Sequence, residues 1–112
     1  MIKAQDIVES IADAFQFISY YHPKDFIDAV FTAYKKEQSL AAKDALAQIL
    51  TNSKLCAIGK RPICQDTGIA TIFVKIGQKC KFDFNNESLT DLLNEGVRLA
   101  YTNKNNPLRA SV

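Results

Sequence analysis

The sequence predicts an α+β fold, with N-terminal helices packed on a small sheet or hairpin and a further helix after it. Three observations carry this. Apolar residues recur at helical spacing through the first fifty positions. The run from Ile69 to Ile76 is dense in β-branched side chains, which favour strands. Ser88 with Asp91 then opens a second helical pattern in the manner of a capping box, aspartate replacing the usual glutamate.

Ile7, Ile11, Phe15 and Ile18, interleaved with Glu9, Asp13 and Gln16, predict an amphipathic helix over residues 3–20. It stops before Pro23, because the residue preceding a proline is driven out of the helical region. Pro23 suits the first turn of a second helix, with Asp25 and Asp28 near its positive end and Phe26, Val30, Phe31 and Tyr34 on its apolar face, to about Glu37. Ser39 is the expected N-cap of a third helix, rich in alanine and ending near Asn52 or Ser53. Residues 59–68 read as a loop bounded by Gly59 and Gly68. Gly77-Gln78 is placed to turn a strand over 69–76 into a second one over 79–84, with a longer loop as the alternative. Leu89, Leu92, Leu93, Val97 and Tyr101 line the last helix. Gly96, which costs about 1 kcal/mol there relative to alanine, suggests a close helix contact.

At 112 residues the chain suits one domain or part of one. The 47% hydrophobic and 23% charged shares are those of a globular protein and argue against global disorder. A net charge of +2, from 14 basic and 12 acidic residues, lacks the clustered basic surface that nucleic acid or an anionic membrane requires. No apolar stretch approaches the ~20 residues of a membrane span, and the N-terminus lacks the apolar core of a signal peptide. A cytoplasmic location is the expectation. Three cysteines, Cys56, Cys64 and Cys80, with no close pair, argue against a disulfide framework.

The chemistry concentrates in Arg61-Pro62-Ile63-Cys64-Gln65-Asp66-Thr67-Gly68. Cys64 as a thiolate is a soft ligand for iron in a cluster; the plain alternative is a small half-buried side chain. Gln65 offers a donor and an acceptor, Asp66 accepts or relays protons, Thr67 donates, and Gly68 permits close backbone approach. Asp-Thr-Gly also suits an ordinary turn into a strand. Arg109 has the coplanar donors that grip carboxylates, although an arginine in a polar tail is usually only solvated. His22, between Tyr21 and Pro23, reads as structural or surface. Tyr20, Tyr21, Phe26 and Phe31 read as core.

Pro62-Ile63-Cys64-Gln65-Asp66-Thr67-Gly68 followed by an Ile/Phe/Val run resembles the N-terminal region of class I (iron–sulfur) fumarate hydratases and of the L(+)-tartrate dehydratase alpha subunit. Asn94-Glu95-Gly96-Val97-Arg98, then Tyr101-Thr102-Asn103 and Leu108-Arg109-Ala110-Ser111, resemble the next landmark of that family, in the same order. The resemblance covers essentially the whole chain. It implies a hydro-lyase that hydrates fumarate to malate, or dehydrates a related hydroxy-dicarboxylate. The implied cofactor is a [4Fe–4S] cluster held by three cysteines with one iron open to substrate.

By that resemblance Cys64 is the first cluster ligand. Gln65 and Asp66 are substrate-pocket residues, Asp66 also supporting proton transfer, and Arg109 clamps a substrate carboxylate. Cys56 and Cys80 do not match the family's other two ligands, which lie further along. The expectation is therefore an N-terminal fragment of a longer hydro-lyase, without cluster or activity by itself. Its expected partners are a small dicarboxylate, the remainder of the enzyme or a second subunit, and a further copy in a homo-oligomer; neither nucleic acid nor a membrane is expected. Two other readings compete: an interaction module that docks on the missing remainder through an exposed apolar patch, and a thiol redox protein using Cys64, favoured by Lys60 and Arg61 and opposed by Asp66.

Overall fold

The computed structural model describes residues 1–64, 69–105 and 108. Along them run β1 (Ile2–Lys3), α1 (Ala4–Tyr20), α2 (Lys24–Lys36), α3 (Leu40–Gly59), β2 (Phe82–Asp83) and α4 (Leu89–Thr102). The architecture is α+β, as the sequence predicts. The chain divides into two compact units: Met1–Phe17 with Gln65–Val112, and Ile18–Cys64.

In the first unit, β1 and β2 form a two-stranded parallel sheet, Ile2 opposite Phe82 and Lys3 opposite Asp83. The Ile2 N–H also donates to the Lys81 carbonyl at 2.9 Å. The hairpin read from residues 69–84 is overturned in favour of its alternative, a longer loop. Gly77 does begin a turn, closed by the Cys80 N–H on the Gly77 carbonyl at 3.0 Å, but residues 69–76 form no strand and Cys80 lies outside β2. Strand propensity needs a partner and a surface to cover. Ile69 and Phe73 are 93% and 94% exposed, and the run has no strand partner among the described residues.

Helix α4 is set by Ser88. Its hydroxyl accepts the Asp91 N–H at 3.1 Å and donates to the Asp91 carboxylate at 2.6 Å. The aspartate is too short for the full reciprocal box and takes the hydroxyl instead of the cap's own N–H. Before it, Asn85 and Asn86 both adopt positive φ (50° and 71°), and the Glu87 N–H closes the turn on the Phe84 carbonyl. Asparagine tolerates that region better than most residues. Among the described residues of this unit, Val8, Leu92, Ala100 and Leu108 are the buried apolar side chains. Gly96 lies directly against Ile11 and the Val8 carbonyl of α1, the close approach its sequence position suggests. Gln16 Nε2 donates to the Ala100 carbonyl at 2.7 Å, and the Phe15 and Tyr101 rings meet at 6.4 Å.

In the second unit, Pro23 precedes α2 at the N-cap and Ser39 caps α3, accepting the Ala42 N–H at 3.4 Å. Helix α3 continues past Asn52 and Ser53 to Gly59, which corrects the predicted end. Both polar side chains have tertiary partners: Ser53 Oγ lies 3.0 Å from His22 Nδ1, and Asn52 Nδ2 donates to the Ile63 carbonyl. They need not compete for the helix backbone, which is how such residues usually end helices. His22 also stacks on Phe26 at 4.5 Å, a structural role. Tyr20 is buried, whereas Phe26 and Phe31 are exposed, against their reading as core. Phe31 instead pairs with Tyr34 and carries Lys35 Nζ over its ring. Among the described residues no helix is long and apolar enough to cross a membrane.

Candidate functional site

The reactive window begins where α3 ends. Lys60 takes the left-handed conformation (φ 48°, ψ 51°), and its N–H returns to the Cys56 carbonyl. The Arg61 N–H reaches the same carbonyl at 3.1 Å, the six-residue closure of a Schellman-type end. A helix end of this kind turns the chain sharply while satisfying its last acceptors.

The next residues are held from two sides. The Ile63 N–H donates to the Ser19 carbonyl, at the last turn of α1, at 2.8 Å. The Ile63 carbonyl accepts from Asn52 Nδ2 at 3.1 Å. Cys56 Sγ lies 3.6 Å from the Pro62 carbonyl and 3.5 Å from Asn52 Oδ1. Cys64 follows this tethered peptide as a free, exposed thiol. Cys56 is free but buried, and Cys80 is free and exposed.

Cys64 therefore fits one soft ligand position, being accessible and borne on a fixed stretch of chain. Cys56 fits poorly, since its sulfur is enclosed and engaged with Asn52 and Pro62. Among the described residues, no three of His, Cys, Asp and Glu gather where a metal ion could be held. Gln65, Asp66 and Arg109, the other site residues expected from sequence, lie outside the described residues.

Sequence reasoning missed Asn52. The signal was its spacing from Cys56, four residues along one helix, which puts both side chains on one face. Further along, Glu95 and Arg98 form a bidentate pair on α4, Arg98 Nη2 and Nε donating at 2.6 and 2.7 Å. The hydrogen bond from Arg98 holds the Glu95 carboxyl below its ordinary range, and Glu95 correspondingly raises the Arg98 guanidinium.

The sequence profile of the fumarate hydratase (Fumerase) family matches residues 8–112. The chain is also 33% identical, over 114 aligned positions, to a Methanocaldococcus jannaschii protein named "Putative L(+)-tartrate dehydratase subunit alpha". That alignment takes in 99% of this chain and 37% of the relative, so the chain spans little more than a third of the relative's length. With all but its first seven residues inside the family profile, the chain belongs to the fumarate hydratase (Fumerase) family.

Proposed function

We propose that this chain is the N-terminal part of an iron–sulfur hydro-lyase. It would act on fumarate, or on a hydroxy-dicarboxylate such as tartrate, in the cytoplasm. The observation that carries the reading is the family match across residues 8–112, together with the free, exposed Cys64 at the end of a tethered peptide. The relative's name, with its dicarboxylate substrate and its alpha subunit, supports the substrate class and the presence of a partner subunit.

Cys64 would supply one thiolate to a [4Fe–4S] cluster whose other ligands come from beyond the described residues. Such a cluster, when bound, offers a Lewis-acidic iron that assists departure of a hydroxyl as water. Arg109 would grip a substrate carboxylate with two coplanar N–H groups, fixing the substrate's direction. Gln65 would orient a second polar group of the substrate through its amide. Asp66 would serve proton transfer at the carbon next to the leaving hydroxyl. By itself the chain would hold neither cluster nor activity, because one thiolate cannot secure a cluster.

The test is to prepare the longer protein, reconstitute it with iron and sulfide without oxygen, and assay hydration of fumarate and dehydration of tartrate. Brown colour and activity are expected, and Cys64→Ala should abolish both. Retention of cluster and activity in Cys64→Ala would overturn the reading.

A second reading draws on residues 69–76. Their exposed Ile69, Phe73, Val74 and Ile76 favour docking on the remainder of the enzyme or a partner subunit. The two readings are compatible, since a catalytic fragment would also need that contact.

A further inference from the structure

We infer that Asn52 is a positioning residue for Cys64, fixing the peptide before it through the Ile63 carbonyl; the functional part of this inference rests on Cys64 being a cluster ligand. Asn52 Nδ2 reaches that carbonyl at 3.1 Å, while the Ile63 N–H is held by the Ser19 carbonyl at 2.8 Å. Both polar groups of Ile63 are thus occupied, one from α3 and one from α1. Cys56 lies one turn on from Asn52, its sulfur within reach of both Asn52 Oδ1 and the Pro62 carbonyl. Pro62 adds a fixed φ to the same short stretch. The backbone nitrogen of Cys64 is bonded to the tethered Ile63 carbonyl carbon, so few rotations separate the tether from the thiol.

The stability of α3 does not account for Asn52. Asparagine is a poorer helix former than alanine, and the residue is solvent-exposed. A preplaced ligand loses less freedom on binding, which is what a supporting hydrogen bond supplies.

The test uses two variants of this chain. Asn52→Ala removes the side-chain amide; Asn52→Asp keeps an acceptor for Cys56 but cannot donate to Ile63. In both, exchange of the Ile63 amide, whose own bond to Ser19 remains, should rise by up to about five-fold, because opening of the shared tether no longer has to break the Asn52 hydrogen bond. Exchange along α2 and the rest of α3 should be unchanged. In the longer protein reconstituted with iron and sulfide, both variants should lose cluster absorbance to a chelator several-fold faster than the parent.

Unchanged Ile63 exchange in both variants would overturn the positioning role. So would acceleration spread evenly over α2 and α3, which marks a merely structural residue. A Cys64→Ala protein that keeps its cluster would overturn the ligand reading, whatever Asn52 does to Ile63.

Discussion

Gly96 of α4 and Ile11 of α1 meet so closely that a Cβ at position 96 would lie 2.6 Å from Ile11 Cβ and 2.9 Å from the Val8 carbonyl oxygen. The second contact is backbone, so no side-chain rotation relieves it. Gly96→Ala should therefore destabilise the chain by about 1–3 kcal/mol through overpacking, despite alanine's gain of about 1 kcal/mol in helix propensity. Urea denaturation measures the outcome; a variant more stable than the parent would show that the helices separate at little cost.

The serine caps differ in geometry and should differ in worth. Ser88 accepts its backbone N–H at 3.1 Å, Ser39 at 3.4 Å. Ser88→Ala should cost about 1 kcal/mol and Ser39→Ala less, read as shifts in denaturation midpoint. Equal losses would assign the cap strength to propensity alone.

The pair of Glu95 and Arg98 gives a directional pH effect. The folded Glu95 carboxyl is held below its ordinary value of 4.5, mainly by the hydrogen bond from Arg98. A depressed carboxyl contributes stability above its unfolded pKa and loses it as pH falls through the folded one. The parent should exceed Glu95→Gln slightly at neutral pH and low salt. The difference should vanish below the folded pKa, and also in high salt, because both groups are exposed. A gap that persists in acid would trace to packing.

The thiols should separate by accessibility. Iodoacetamide should modify Cys64 and Cys80 quickly in the native chain, and Cys56 only on unfolding. Mass spectrometry with time gives the order. Rapid labelling of Cys56 would mean that the end of α3 opens readily.

Phe73→Ser should change stability by less than about 0.5 kcal/mol, because an almost fully exposed ring has little folding contact to lose. The same substitution should reduce self-association in light scattering if this run is a docking surface.

Local signals were the legible ones. Ser39 and Ser88 announce their helices by residue type and position, and Gly96 announces a close contact by its unfavourable place in α4. What escaped depends on distant partners. Asn52 and Ser53 looked like terminators, but Ile63 and His22 satisfy their side chains and α3 runs on. The 69–76 run has strand composition and no strand, because propensity describes fitness for a sheet rather than the presence of a neighbour. The partner of β2 is β1, at the far end of the sequence, and no local pattern encodes a parallel pairing of that span. Within the candidate site, Cys64 was found by its chemistry and its tether was not. The tether consists of one mid-helix asparagine and the backbone groups of Ser19 and Ile63, which carry no motif.

The parallel pairing of Ile2 with Phe82 bears on how the molecule is made. Its strands are roughly 80 residues apart, so closing them costs about 4 kcal/mol in loop entropy before any contact returns it. The unit Ile18–Cys64 is one uninterrupted stretch, whereas the other is assembled from both ends of the sequence. As the chain leaves the ribosome, the continuous unit has all its residues early. The N-terminal segment must wait, unpaired, until β2 and α4 are synthesised, leaving Val8 and Ile11 open to chaperones during that interval.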